Sequence, residues 1–262
     1  DVPELRARVA PARSRDSGNT VLSKEFPGGV LVMTGANSAV GLRSMPARYL
    51  FMDEVDGYPG DVEGEGDPIL LAERRSATFA RRRKVLLVST PTIKSTSRIQ
   101  REFENSDQRY FYVPCPSCGH SQPLRFSQLR WEEGKPENAQ YSCEDCDYLI
   151  SEHQKTEMLN QGYWQATAEG DGQTQGYHLS SLYSPVGWFS WEDAARIFEG
   201  AQQNPDLMKG FVNTVLGESY EEEFEAPEWE RLYERRESYI IGVVPGGGLF
   251  FTAGVDVQRD RL

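Results

Sequence analysis

The sequence predicts a mixed α/β fold organised around a central sheet, and three stretches carry that expectation. In Arg48–Pro59, RYLFMDEVDGYP, the apolar run Tyr49–Met52 has the character of a strand buried on both faces. It stops abruptly at Asp53, Glu54 and Asp56 before a Gly57-Tyr58-Pro59 turn. Further on, the basic run Arg81–Lys84 enters a second β-branched and apolar stretch, Val85–Val88, which ends in Ser89-Thr90-Pro91-Thr92. Two C-x-x-C pairs, Cys115/Cys118 and Cys143/Cys146, mark a small metal-binding insertion after these strands.

Length and charge set the outer bounds. With 262 residues the chain can bury a sizeable core in roughly one to three domains. It carries 28 Lys and Arg against 40 Asp and Glu, a net charge of −12. Such a chain is not drawn to DNA as a whole, so any nucleic-acid contact must come from local basic patches, and a passive DNA-coating role is disfavoured. The sequence shows no run of about 18 apolar residues and no charged-then-apolar leader, so neither a membrane span nor a signal peptide is read. Four cysteines in two close pairs fit an intracellular metal site better than a disulfide framework.

Asp1–Asn19 reads as an arginine-rich helix (Arg6, Arg8, Arg13, Arg15) that breaks at Ser17-Gly18-Asn19. Val21–Lys24, Pro27-Gly28-Gly29 and Val30–Thr34 read as strand, turn and strand, and the small residues of Gly35-Ala36-Asn37-Ser38 permit a close backbone approach. Gly41-Leu42-Arg43-Ser44 then places Arg43 just ahead of the acidic strand. After an acidic loop over Gly60–Pro68, a helix is expected over Ile69–Phe79. Ile69, Leu70, Ala72, Ala77 and Ala80 are available to face the sheet, with Arg74 and Arg75 outward.

Ligands of α/β sheets bind at the carboxyl ends of central strands, so acids there are placed to hold Mg²⁺ and steer water onto a phosphate. A strand that merely finishes in an acidic turn has the same short pattern. The second strand, ending in hydroxyls, adds groups suited to sensing a γ-phosphate. Together the two stretches resemble the Walker B and coupling motifs of P-loop NTPases that translocate on DNA. That resemblance implies that Asp53 helps hold Mg²⁺ with ATP, Glu54 polarises the attacking water, and Ser89 and Thr90 sense the nucleotide. The phosphate cradle G-x-x-x-x-G-K-[ST] occurs nowhere in the chain. Since the chain opens at Asp1 and closes inside a strand-like run, it reads as a piece of a longer protein with Walker A upstream.

Each C-x-x-C sets two thiolates on one tight turn, and two such turns can close a tetrahedral shell around Zn²⁺ through Cys115, Cys118, Cys143 and Cys146. The 24 residues between Cys118 and Cys143 leave room for a hairpin. Gly119 follows the first knuckle as expected, whereas Asp147 takes that place in the second. His120 and His153 are ordinary surface residues in this reading. A closed four-Cys shell has no open position, so the zinc is structural. Arg109–Tyr112, Arg125, Phe126, Arg130 and Trp131 mix basic and aromatic character, and the preferred role for them is packing a small ribbon rather than contacting nucleic acid.

Beyond the ribbon, Tyr163-Trp164 and Gly176–Tyr183 read as strands around the Glu169–Gly172 turn. Ser190 caps a helix over Trp191–Gln203 with Asp193 in the capping-box position, and a second helix over Pro205–Leu216 puts Leu207, Phe211 and Val215 at core spacing before Gly217. Tyr220–Trp229 reads as an acidic linker or docking strip. Val244-Pro245-Gly246-Gly247-Gly248 marks a domain boundary ahead of a strand-like run, Leu249–Val257, that contains Asp256.

The succession RSRDSGNT, FPGG, GANSAVGLRS, RYLFMDEVDGYP, LLVSTPT, CPSCGH, GYHLSSLYSP, VNTVLGESY and TAGVDVQRDRL resembles the lambda-type phage terminase large subunit, the GpA family, across nearly the whole chain. The resemblance implies a P-loop NTPase (ASCE/RecA-like) sheet lacking its Walker A portion over residues 1–108, a zinc ribbon over 109–152, a strand-and-helix remainder with linker over 153–244, and the first strand of an RNase H-like nuclease over 245–262. It implies an ATPase that packages double-stranded DNA into procapsids and an endonuclease that cuts concatemers, in a tailed phage or prophage. ATP, Mg²⁺ and structural Zn²⁺ are the implied cofactors. The implied partners are double-stranded DNA, the small terminase subunit, the portal and further copies of the chain, in the host cytoplasm and away from membranes. Arg43 is then placed to reach a neighbouring subunit's nucleotide. Asp256 becomes the first nuclease carboxylate for Mg²⁺ or Mn²⁺, and without its partner carboxylates the fragment itself is not expected to cut DNA.

Two other readings share some of these residues. Asp53-Glu54-Val55-Asp56 also fits the DExD box of a superfamily 2 helicase with Ser89-Thr90 as its coupling motif, although that class continues into a second motor lobe. A zinc-ribbon nucleic-acid-binding module without motor activity would account for the cysteines. It leaves the strand ending in Asp53-Glu54 without a purpose.

Overall fold

The computed structural model of the protein describes residues 3–6, 9, 19–43, 45–221 and 233. The elements run α1 (Pro3–Arg6), β1 (Ser23–Phe26), β2 (Gly29–Val32), α2 (Ala39–Arg43), β3 (Tyr49–Asp53), α3 (Pro68–Arg74), β4 (Lys84–Val88), α4 (Arg98–Asn105), β5 (Arg109–Pro114), β6 (Ser121–Pro123), β7 (Leu129–Glu132), β8 (Lys135–Ser142), β9 (Leu149–Ile150), α5 (Lys155–Asn160), β10 (Tyr163–Ala166), β11 (Tyr177–His178), α6 (Trp191–Ala201) and α7 (Pro205–Gly210). The chain divides into two compact units, Asp1–Glu221, which holds all of these elements, and Glu222–Leu262. Arg8, Arg13, Arg15, most of the expected linker, the strand-like run Leu249–Val257 and Asp256 lie outside the described residues.

β3 and β4 pair in parallel, Tyr49 opposite Lys84 and Asp53 opposite Val88, so both strands finish at one edge of the sheet. α2 and α3 cover a single face, where Ala39, Leu42, Met52, Val55, Val62, Ile69 and Ala72 form one core. The expectation of a strand buried on both faces is therefore corrected. Side chains alternate across a strand, and with helices on one side only, Met52 is buried while Tyr49 and Phe51 are exposed, Phe51 at 72%. The β1–β2 hairpin is antiparallel around Pro27-Gly28, with Phe26 opposite Gly29.

α3 is shorter than its periodicity suggests. Asp67 caps it, accepting hydrogen bonds from the N–H groups of Ile69 and Leu70 at 2.8 and 3.3 Å, with Pro68 at the first helical position. It ends at Arg74 because the Ser76 hydroxyl donates to the Glu73 carbonyl at 2.7 Å and a tighter 3₁₀ turn, Ala77–Arg82, follows. Leu70, on the side of α3 away from buried Ile69 and Ala72, and Ala77, in the 3₁₀ turn, face solvent rather than the sheet. Arg75, expected to point outward, turns in and donates from Nε to the Leu42 carbonyl at 3.0 Å.

A second core joins the cysteine-bearing strands to the helices that follow. β5, which reads in the sequence as a lead-in to the first knuckle, is the central strand of a sheet in the order β10-β5-β11, with β6 also pairing to it. Only Tyr177–His178 of the expected Gly176–Tyr183 strand pairs. The chain turns away because Tyr183 is drawn inward, its hydroxyl donating to the Phe111 carbonyl and accepting from the Leu124 N–H, both at 2.6 Å. β7, β8 and β9 form a meander. Phe126 and Trp131 pack on Phe198 and Phe211 with ring centroids 4.9–6.0 Å apart, the packing role expected for them. α6 carries the expected capping box, Ser190 Oγ accepting from the Asp193 N–H at 2.9 Å and Asp193 Oδ2 accepting from the Ser190 N–H at 2.9 Å. α7 is capped by Asn204 and passes into a π-helical turn, Phe211–Leu216, that ends at Gly217 with φ 67°. Phe211 and Val215 are buried as expected, but Leu207 is 55% exposed because α7 presents only its far end to the core. Among the described residues no helix is long and apolar enough to cross a membrane.

Lys155, in this second core, and His178, partly buried against β5, each carry a stability prediction. The Lys155 side chain is fully buried, pairs with Glu152 Oε1 at 2.5 Å and lies over the Trp191 ring at 5.3 Å, while Glu152 also accepts from the Trp191 N–H at the start of α6. Removing one partner of such a pair strands the other charge, so Lys155→Ala should destabilise this chain by about 3–5 kcal/mol in urea titrations. The double variant Lys155→Met, Glu152→Leu should lose less. His178 packs between Phe103 and Tyr110, and its burial holds its pKa below the ordinary histidine value. The unfolded chain therefore binds a proton that the folded chain refuses. Stability should fall as pH drops below about 6.5, and His178→Phe should flatten that part of a melting-temperature profile.

Candidate functional site

The shared edge of β3 and β4 brings the acidic and hydroxyl segments side by side. Asp53 and Glu54 are exposed and Asp56 is half-buried. To leave the strand for the 3₁₀ turn Val55–Gly57, the backbone bends sharply at Glu54, a non-glycine residue in the left-handed region at φ 54°, ψ 47°. Such a conformation costs about 1–3 kcal/mol and persists where neighbouring contacts enforce it. Here the Glu54 carbonyl accepts from the Gly57 N–H at 2.9 Å, and Asp53 Oδ1 accepts from the Glu54 N–H at 3.1 Å.

Asp56 holds the two segments together. Oδ2 accepts from both the N–H and the hydroxyl of Thr92 at 3.0 Å, and Oδ1 accepts from the Ile99 N–H at 2.8 Å. In return the Asp56 N–H donates to Ser89 Oγ at 3.2 Å, and Ser89 Oγ donates to the Thr90 carbonyl at 3.1 Å. A carboxylate satisfied by three donors is committed to structure, so of the three acids only Asp53 and Glu54 remain open to solvent at the tip.

Arg98 is the residue that sequence reasoning missed. Its guanidinium, with the side chain 12% exposed, donates to the carbonyls of Val55, Tyr58 and Pro59 at 3.2, 2.7 and 2.7 Å and pairs with Asp67 Oδ2 at 3.0 Å. α4 as a whole has no counterpart among the elements that the sequence predicts. Its signal is present in Ser97-Arg98-Ile99-Gln100, an S-x-x-Q start whose Ser97 Oγ accepts from the Gln100 N–H at 3.1 Å. Arg43 stands apart from this network, held by Glu65 in an ion pair at 2.5 Å and by the Ala39 carbonyl at 3.3 Å.

The four cysteines converge. Their sulfur atoms all lie within 4.8 Å of one another, with Cys115–Cys146 at 3.9 Å and Cys118–Cys143 at 3.8 Å. A tetrahedron of thiolates about 2.3 Å from a zinc ion has edges of about 3.8 Å, whereas a disulfide needs about 2.05 Å, so the donor set fits the metal. The knuckles are built alike. Gly119 N–H donates to the Cys115 carbonyl at 2.9 Å and Asp147 N–H to the Cys143 carbonyl at 3.1 Å, both residues at positive φ, 75° and 56°. Burial opposes ionisation of Cys143, but the N–H groups of Cys146 and Asp145 outweigh it and bring the thiol down to about 7. His120 pairs with Glu144 at 3.1 Å and His153 with the Ser151 hydroxyl at 2.9 Å, so neither joins the cluster.

Residues 1–164 match the family described as "Phage terminase large subunit gpA, ATPase domain", and residues 174–262 match "Terminase large subunit gpA, endonuclease domain". The chain belongs to the gpA family of phage terminase large subunits. Two curated relatives are each named "Terminase, large subunit". That of Enterobacteria phage P21 is 30% identical, and that of Escherichia phage lambda 28% identical, over the whole of this chain and 44% of each relative. The chain thus spans 44% of the length of these terminases. No solved structure matches it. In this terminase chain the ATPase match contains Asp53, Glu54, Ser89, Thr90, Arg43 and all four cysteines, and the endonuclease match contains Asp256.

The left-handed turn at Glu54 gives a direct stability test. Glu54→Gly should raise the unfolding free energy by about 1 kcal/mol and Glu54→Val should lower it by at least as much, measured by denaturant titration.

Proposed function

We propose that this chain is the later part of an ATP-driven DNA-packaging motor joined to the start of a metal-dependent endonuclease, in a terminase that packages double-stranded DNA and cuts concatemers. The observation that carries the reading is the parallel β3–β4 pair, which ends with Asp53-Glu54 beside Ser89-Thr90 inside the stretch matching the ATPase description. The sheet is then of the P-loop type. β4 has no second partner among the described strands, and its Val85–Val88 line a cleft of 680 Å³ where a further strand, with the phosphate cradle, is proposed to add. Bound ATP with Mg²⁺ supplies the phosphoryl group and the cation of the reaction. Toward them Asp53 offers a metal-binding carboxylate, Glu54 orients water, and Ser89 and Thr90 sense the nucleotide's state. Arg43 would leave Glu65 to reach a neighbouring subunit's nucleotide.

The four thiols take a structural Zn²⁺, consistent with a sulfur cluster tied directly into the second core through buried Cys115 and Cys143. Asp256 is the first carboxylate of an RNase H-like nuclease, and the domain limits 108/109, 152/153 and 244/245 belong to the same proposal. The partners are DNA, the small terminase subunit, the portal and further copies of the chain, in the host cytoplasm. The family matches favour this terminase over a superfamily 2 helicase or an isolated zinc-ribbon module.

ATP turnover by the full-length protein, with and without double-stranded DNA, is the test. Glu54→Gln should lower kcat by about 100-fold or more with little change in KM, and turnover indifferent to Glu54 would sink the motor reading. Metal analysis of the purified protein should find one zinc per four-cysteine cluster, and Cys118→Ser should lose it along with much of the second core's thermal stability.

A further inference from the structure

We infer that Arg98 and Asp56 are positioning residues that pass the state of the acidic tip along α4 into the sheet of the second core. The inference rests on the ATPase reading above. Three carbonyls of the turn after Glu54 point at one guanidinium, and a planar fork with five donors is the group that can satisfy them together with Asp67. Because Arg98 is the first residue of α4, any shift of the turn at Val55–Pro59 is a shift of the helix start. Asp56 adds the second link, since the same carboxylate binds the Ile99 N–H in α4 and Thr92 in the segment that follows β4. Turn, hydroxyl segment and helix are therefore fastened at one point.

The far end of α4 is fastened as firmly. Phe103 packs edge-on against Tyr110 of β5 at 5.7 Å and lies tilted against His178 of β11 at 6.1 Å. Ser106, fully buried, donates to the Phe103 carbonyl at 2.6 Å and accepts from the Gln108 N–H at 3.0 Å. Its hydroxyl lies so close to Gly176 that a Cβ there would sit 2.0 Å away, so the helix end and the loop before β11 cannot move independently. Eight helical residues span about 12 Å, a rigid strut with one end at the acidic tip and the other in the sheet adjoining the cysteine knuckles.

Hydrogen exchange on the full-length protein, with and without a saturating non-hydrolysable ATP analogue and Mg²⁺, tests the inference. In the wild type the analogue should alter exchange at Ser89–Thr92 and also at Phe103–Tyr110. In Arg98→Ala the response at Phe103–Tyr110 should fall about fivefold or more while the acidic tip still responds. Asp56→Asn, which turns an amide N–H toward one of its former donors, should do the same and stands in if the alanine variant does not fold. A wild type that responds only at Ser89–Thr92, or variants that relay the response undiminished, would overturn the inference and leave the ATPase reading intact. A wild type that binds no nucleotide would remove that reading, and this inference with it.

Discussion

The Asp56 carboxylate receives three hydrogen bonds from residues that follow the next strand, and the arrangement of the first core depends on that convergence. Parallel strands have no hairpin to hold their ends in register, so the segments leaving β3 and β4 must be tied by side chains. Asp56 ties them, and Arg98 satisfies the carbonyls that the tight turn leaves without helical or sheet partners. With those contacts made, Glu54 is held in a left-handed conformation it would not choose alone, and Asp53 and Glu54 are left projecting. The third acid of the cluster thus has a different task from the first two.

A different constraint governs the second core. Its sheet is small, and Cys115 and Cys143 are buried members of the same apolar cluster as Trp191, Phe211 and Tyr141. The sulfur cluster and the helices after it stabilise one another instead of forming separate layers. Burial also raises the pKa of Tyr183, to about 12, and of Tyr141, both phenols whose hydroxyls bond backbone groups between β6 and the 3₁₀ turn after it. Neutral phenols with satisfied hydroxyls are what an apolar interior tolerates.

Much of this was legible in the sequence where the signal is local. Strand ends at Asp53 and Ser89, both cysteine knuckles, the β1–β2 turn and the Ser190 capping box are short-range patterns, and the structure brings each to the expected place. Burial was less legible, because Phe51 and Leu70 are apolar for reasons that their neighbours in sequence do not reveal; whether a face is covered is a tertiary property. α4 escaped notice because RIQREFEN offers only Ile99 and Phe103 as apolar positions, too few to establish a helical stripe. β5 escaped because RYFYVP is aromatic on both faces and lacks the alternation of a half-exposed strand. The duty of Arg98 is fixed by carbonyls of Val55, Tyr58 and Pro59, far away in sequence and chemically anonymous there.

The register between β3 and β4 also says where this polypeptide can tolerate changes of length. One residue inserted between Tyr49 and Asp53 would turn every later side chain of β3 to the opposite face, carrying the terminal carboxylate beneath α2 and α3 and lifting Met52 into solvent. In the Gly60–Gly66 loop only Val62 is anchored in the core, and beyond it the turns, closed by the Asp61 side chain accepting from Gly64 and Gly66, have no strand phase to keep. Insertions and deletions among related chains should therefore collect in that loop and spare the five residues of β3, whatever substitutions either one has accepted.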